Sequence, residues 1–275
     1  MKKIINDFTK MTSIVRSATV NDLVALAPSV RDKVASEGFV LIRGMFDRLE
    51  IQQKLTSLYT YANTASHKPS AGVSPAEIRC NMTKWSIGGH SQSQAGLPRF
   101  MLTVYNPLWD EDTFKLHSDF SRLIEIRDTL AGRETLIDDR LAPARYNGCR
   151  VQIYPSGGGF MGAHVDSRAA SNLEGTAHCA YIQMVLLLTE RGKDYQSGGA
   201  FVISDDKTID SEAESLAGDL LVYDGSTHHG VADIDSNIAF DISNLRGRAV
   251  ALVTVLTKDD ILHKVKPGKT TGTTA

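Results

Sequence analysis

The chain has 275 residues, 42% of them hydrophobic, enough for one large domain or two small ones. Its 30 basic and 32 acidic side chains nearly cancel, which argues against a general nucleic-acid binder with a basic stripe. Cys80, Cys149 and Cys179 are widely spaced and form no CxxC pair, so neither a disulfide framework nor a zinc knuckle is expected and a reducing cytoplasm fits. Met1 to Asp7 begins basic but has no apolar run behind it, and no segment approaches the ~20 apolar residues of a bilayer span, so no membrane partner is expected.

Residues 1–20 read as a loosely structured start. Asn21 to Ser36 has a helical pattern interrupted near Pro28, and Gly38 fits its stop. Phe39-Val40-Leu41-Ile42-Arg43 suits a buried strand. Asp47 and Glu50 are spaced as an N-cap and its partner, opening a helix through Ala62 with Ile51, Leu55 and Leu58 on one face. Residues 64–98 are rich in Ser, Gly, Pro and Ala and read as a lid or a surface insertion. Thr113 to Ala131 is again helical, with Leu116, Phe120, Leu123 and Leu130 on one side. From Cys149 the texture is β. Strands are expected at Cys149 to Tyr154, Ala180 to Thr189, Gly199 to Ser204, Gly218 to Tyr223 and Ala249 to Thr257, separated by Gly and Asp/Ser clusters. Lys266 to Ala275 is polar and expected to fray. Helices first and short strands after predict a mainly β protein, a jelly-roll core buttressed by an N-terminal helical layer.

Chemistry concentrates in Gly162-Ala163-His164-Val165-Asp166. A strand alternates its side chains, so His164 and Asp166 point the same way. With a later histidine from the His228-His229 pair they can fill one face of a metal and leave the other open, as in the 2-His-1-carboxylate sites of non-haem Fe(II) oxygenases. Tyr154, Gln152 and Arg150 share one strand face, so if one points into a barrel all three do, and buried polar groups need partners.

The order Tyr154, Gly157-Gly158, His164-x-Asp166, Gly198-Gly199, Gly218-Asp219, His229-x-Val231 and Arg248 before a strand resembles the 2-oxoglutarate/Fe(II)-dependent dioxygenase superfamily. The likeness is clear over Arg150 to Thr257; earlier, only Gly38 to Gly44 has the look of that superfamily's N-terminal strand. The resemblance implies one dioxygenase domain over residues 1–275. Residues 1–148 would be helical support and lid, 149–258 a double-stranded β-helix (cupin-like) catalytic core, and 259–275 a tail. It implies Fe(II) held by His164, Asp166 and His229, with 2-oxoglutarate and O2 as cosubstrates. Histidine two before valine selects His229 over His228. Arg248 would hold the distal carboxylate of 2-oxoglutarate, because a guanidinium fork binds carboxylate bidentately and stays charged. Tyr154 would hydrogen-bond the same carboxylate, with Gln152 beside it. Related halogenases replace the carboxylate ligand by Gly or Ala; Asp166 is intact, so oxygen insertion or desaturation is expected and not chlorination.

The implied activity is hydroxylation of a small polar molecule. A desaturase or ring-forming oxidase on the same scaffold, and a metal-binding jelly roll without turnover, are the alternatives. Arg168, two residues after Asp166, and Arg246 are candidates for an acidic group on the substrate, and Arg79, Asn81 and Trp85 could close over it from the lid. Tyr105 and Asp224 are weaker candidates.

Overall fold

The computed structural model describes residues 14–17, 19–64, 83–88, 98–137, 145–166 and 182–257. The first strand, β1 (Ile14–Arg16), leads into helix α1 (Val20–Glu37). Thr19 caps α1 with a full capping box: its hydroxyl accepts from the Asp22 amide at 3.1 Å and the Asp22 carboxylate accepts from the Thr19 amide at 3.1 Å. Gly38, at φ 84°, ends the helix in the left-handed conformation that glycine adopts without penalty. The helix runs unbroken through Pro28, contrary to the expected interruption. Leu23, Ala27, Val30 and Val34 are buried on one side, while Pro28 and Val24, four residues earlier, face solvent that can satisfy the carbonyl a proline leaves without a partner.

Strand β2 (Phe39–Arg43) and helix α2 (Arg48–Asn63) follow, the latter capped by Asp47, which accepts from the Leu49 and Glu50 amides at 2.9 Å. Next come β3 (Thr83–Ile87), β4 (Phe100–Tyr105) and α3 (His117–Leu130). The remaining strands are β5 (Arg145–Pro155), β6 (Met161–His164), β7 (Ile182–Leu187), β8 (Gly199–Ser204), β9 (Lys207–Asp210), β10 (Leu220–Asp224), β11 (His228–Ala232) and β12 (Gly247–Thr257).

They form two sheets. The larger has the order β1-β2-β10-β7-β12-β5-β4-β3 and the smaller β6-β11-β8-β9. Every neighbouring pair is antiparallel except β1 with β2. Residues 1–148, expected to give helical support, a lid and one strand at Phe39–Arg43, contribute four of the eight strands of the large sheet.

Strand parity sorts the large sheet into two faces. Val40, Ile42, Val151, Ile153, Met184 and Leu186 point outward and pack with Leu23, Val30, Leu58, Phe120 and Leu123 of the three helices. Their alternates Phe39, Leu41, Val185, Leu187 and Leu221 point inward, against Ala200 and Val202 of the small sheet. Each fully buried Leu, Ile or Phe contributes roughly 1.5–3 kcal/mol of apolar burial, so the helical layer is an energetic part of the large sheet. The result is a jelly roll with helices on one side, and the inner faces of its sheets enclose the cavity described next.

Candidate metal centre

A cavity of ≈ 120 Å³ lies between the sheets. Its walls come from alternate residues of β5 (Arg150, Gln152, Tyr154), β12 (Arg248, Val250, Leu252), β7 (Gln183, Val185) and β10 (Leu221, Tyr223), facing Met161, His164, Asp166, Phe201, His229 and Val231 of the small-sheet side.

His164 on β6 stands directly opposite His229 on β11, ring centroids 4.4 Å apart. Asp166 follows two residues later. Its Oδ1 lies 3.8 Å from His164 Nε2 and its Oδ2 lies 3.7 Å from His229 Nε2, and the ligand atoms of all three residues fall within 4.8 Å of one another. Among the described residues no other such His/Cys/Asp/Glu group occurs.

The groups around the cluster prepare it for a cation. His164 Nδ1 lies 2.9 Å from the Gly162 carbonyl and His229 Nδ1 lies 2.8 Å from the Thr227 carbonyl. A carbonyl only accepts, so each ring carries its proton on Nδ1 and turns the Nε2 lone pair to the centre. Burial holds the His229 imidazole below the usual histidine range, and neighbouring His164 adds to this against the pull of Asp166, which favours the neutral ring a metal needs. Asp166 Oδ2 is buried without a hydrogen-bond partner, a costly state that a cation at this point would relieve. A metal about 2.1 Å from each of three ligands at right angles sets them about 3 Å apart, so the two carboxylate–imidazole separations need to close by less than an ångström.

One turn positions two of the three groups. The Asp224 carboxylate accepts from the Ser226 amide at 2.8 Å, and the Thr227 amide donates to the Asp224 carbonyl at 2.8 Å. The Gly225 carbonyl of this turn accepts from the Asp166 amide at 2.8 Å, while Thr227 fixes the His229 ring. Tyr223 stacks on His229 at 4.4 Å. Asp224 is therefore a support for the cluster and not a wall of the cavity.

The structure brings His164, Asp166 and His229 together and leaves His228 exposed. Tyr154 is buried, its hydroxyl 3.3 Å from Gln152 Oε1. Burial, above all, pushes its phenol up to about 12, so it remains a hydroxyl. Arg248 stands opposite Tyr154 in register, its guanidinium 5.3 Å from that ring. Arg248 also has a carboxylate partner that the sequence reading missed: Nε donates to Glu212 at 2.9 and 3.0 Å, and Glu212 accepts from the Tyr195 hydroxyl at 2.9 Å. Gly199, at φ 120°, makes room for this cluster, since a Cβ there would fall 2.8 Å from Glu212 Oε2 and 2.7 Å from an Arg191 nitrogen.

Other expected site residues lie elsewhere. Arg246 is exposed and lines a separate outer cleft with Tyr59, Asn63, Lys193 and Asp194, so it does not reach the cavity. Trp85 is on edge strand β3, packed edge-on against Phe100 at 5.1 Å, and anchors that strand to the core instead of covering the cavity. Tyr105, at the end of β4, pairs in register with Arg150. Arg79, Asn81 and Arg168, most of the expected lid and the 259–275 tail lie outside the described residues.

No family model matches the chain, and no curated protein sequence matches it. Solved structures do match. A Caulobacter crescentus protein described as belonging to the 2OG-Fe(II) oxygenase family is 13% identical, with 90% of this chain and 87% of that chain covered and a TM-score of 0.54. The non-heme α-ketoglutarate-dependent carbocyclase SnoK of nogalamycin biosynthesis is 13% identical over 87% and 91%, with a TM-score of 0.52. The epimerase SnoN of the same biosynthesis is 14% identical over 91% and 92%, with a TM-score of 0.50. At these identities the likeness is one of fold: the chain has the jelly-roll fold of these oxygenases.

Proposed function

We propose that the protein is a non-haem Fe(II) oxygenase that uses 2-oxoglutarate and O2 to hydroxylate an unactivated C–H bond of a small polar molecule, an amino acid or a natural-product intermediate, releasing succinate and CO2. The observation that carries this reading is the convergence of His164 Nε2, His229 Nε2 and a buried, unpartnered Asp166 oxygen on one point at a polar cavity. Two neutral imidazoles and one carboxylate suit Fe(II) and leave positions open on its far side. Fe(II) held there would supply the chemistry by which O2 oxidatively decarboxylates 2-oxoglutarate, one oxygen atom going to succinate and the other to the substrate C–H.

The chain's own residues do the rest. His164, Asp166 and His229 hold the metal, and the Asp224 turn keeps two of them in place. Tyr154, protonated at any physiological pH, would donate to the distal carboxylate of the cosubstrate, with Gln152 and Arg248, which stands opposite it in register, beside it. The cosubstrate would occupy the inner part of the cavity and the substrate would present its C–H from the mouth. Walls of Val185, Leu221, Val231 and Leu252 keep water from the reacting centre. We read residues 1–275 as one oxygenase domain with its catalytic core at 149–258. The near-neutral charge supports a small-molecule substrate over nucleic acid, and three widely spaced cysteines with no CxxC motif support a cytoplasmic setting. Among the described residues no helix is long and apolar enough to cross a membrane.

The test is succinate formation by anaerobically Fe(II)-loaded protein given 2-oxoglutarate and O2, with and without pooled amino acids and metabolites. Succinate that rises with one pool and vanishes in His164→Ala supports the reading. The product of that pool then distinguishes hydroxylation, a gain of one oxygen, from desaturation or ring closure, a loss of two hydrogens. Folded protein with no 2-oxoglutarate–Fe(II) charge-transfer band and no turnover would overturn the oxygenase reading in favour of a binding jelly roll.

A further inference from the structure

The cavity has a closed end and a mouth, and the inner face of β5 runs between them. Tyr154 on that face is buried, while Gln152 and Arg150 are partly exposed. At the closed end Arg248 stands opposite Tyr154, with Glu212 and Tyr195 buried beside it. The Tyr154 hydroxyl lies 3.5 Å from Met161 Sδ, which sets the start of β6 at this level. His164 comes three residues later and pairs with His229, whose neighbour His228 is exposed, so the metal cluster lies nearer the mouth. Arg150 is four residues from Tyr154, about 13 Å along the strand, and stands beyond the cluster. Its guanidinium extends farther in the same direction: Nη1 donates to Thr254 Oγ1 at 2.8 Å and to the Gly148 carbonyl at 3.3 Å. The order along the cavity is therefore Arg248 with Tyr154, the metal cluster, then Arg150.

The two arginines also differ in charge balance. Arg248 shares its charge with Glu212. Among the described residues no carboxylate lies within ion-pair distance of Arg150, and its partners are a hydroxyl and a backbone carbonyl. A guanidinium has five N–H donors, and only one of its nitrogens is engaged here. A partly buried cation with donors to spare attracts an anion and binds it by charge-assisted hydrogen bonds. The cosubstrate does not supply that anion, because its two ends are taken at Arg248 with Tyr154 and at the metal. We propose that Arg150 is a specificity residue that binds a carboxylate of the substrate, so that the molecule oxidised is a carboxylic acid held at the mouth with its C–H turned inward to the cluster. This rests on the oxygenase reading above. It gives the recognition of an acidic group, expected of Arg246, to an arginine that does face the cavity.

The experiment uses full-length protein loaded anaerobically with Fe(II) and 2-oxoglutarate. The probes are the standard amino acids and short straight-chain carboxylic acids, each beside its primary amide, which keeps the shape and loses the charge. Binding is read by calorimetry and by the change in the 2-oxoglutarate–Fe(II) charge-transfer band. One or more acids should bind in preference to their amides. The ratio of acid to amide affinity should fall about 10–100-fold in Arg150→Gln and recover in part in Arg150→Lys. Affinity for 2-oxoglutarate should stay within a few-fold in both variants, each shown folded by circular dichroism. Binding of no acid, equal binding of acids and amides, or an acid preference that survives in Arg150→Gln overturns the proposal and leaves the oxygenase reading intact. Loss of 2-oxoglutarate affinity in folded Arg150→Gln does the same, since it would put the guanidinium on the cosubstrate. Wild-type protein that binds metal but not 2-oxoglutarate overturns both.

Discussion

Breaking the Arg248–Glu212 pair from one side should destabilise the fold far more than removing it altogether. Glu212→Leu leaves a guanidinium buried between the sheets with no counter-charge, a loss of about 3–5 kcal/mol. Arg248→Met removes the opposite charge, and the double replacement fills the same space with apolar atoms, which should cost little or even stabilise. At about 2–4 °C per kcal/mol for a chain of this size, Glu212→Leu should melt roughly 6–20 °C below wild type, and the double variant near it. Urea unfolding of the four proteins in a double-mutant cycle measures the coupling directly. A Glu212→Leu loss below about 1 kcal/mol, or a double variant no better than the single, would refute the buried-pair argument. The same pair has a pH signature. Burial alone would raise the Glu212 carboxyl, but Arg248, the Ala200 amide and Tyr195 outweigh it and hold the group below its ordinary value of 4.5. A depressed acid contributes stability that is complete above 4.5 and lost as the pH falls through the lower native value. Wild type should therefore lose stability in that acid range more steeply than the double variant does.

Fe(II) or a redox-inert divalent stand-in, added at a hundred times its Kd, should stabilise the wild type by about 2.7 kcal/mol; His229→Ala should abolish the gain, and His228→Ala, at an exposed position, should keep it. Asp224→Ala should weaken metal binding about 10–100-fold in a titration followed by calorimetry, because the turn that orients both Asp166 and His229 loses its carboxylate cap. In an alkaline titration followed by phenolate absorbance, a step near pH 12 should be missing from Tyr154→Phe. The sign follows from the raised value: the native protein holds this proton longer than the unfolded chain, so its stabilising contribution is present below pH 10 and lost as the pH climbs toward 12.

The meeting of His164 with Asp166 was legible because a His-x-Asp spacing is a local signal, although β6 ends at His164 and Asp166 follows it outside the strand, and the helix ends were legible because caps are local too. What was not legible depends on distance along the chain. Phe100–Tyr105 is a six-residue apolar run whose status as a strand comes from pairing with β3 and β5, and β9 is four residues of Lys207-Thr208-Ile209-Asp210 with no distinguishing pattern. β2 read as a strand, yet its place beside β10, nearly two hundred residues later, had no sequence signal at all.

Glu212 shows the same limit at the site, with larger consequences. It sits in Ser211-Glu212-Ala213-Glu214, an acidic stretch that reads as a solvated turn, and Glu214 two residues on is exposed. Position in the fold makes the difference: β9 delivers Glu212 to the inner face, where Gly199 leaves room for it and Arg248 and Tyr195 meet it. A motif can therefore identify an arginine at the right place in the chain without revealing whether its charge is free. Sequence reading chose Arg248, with Arg246 as the alternate, because Arg248 stands immediately before a strand. Among the described residues Arg248 meets a buried carboxylate and Arg150 meets a hydroxyl and a backbone carbonyl, a difference set by the fold and not by any local pattern.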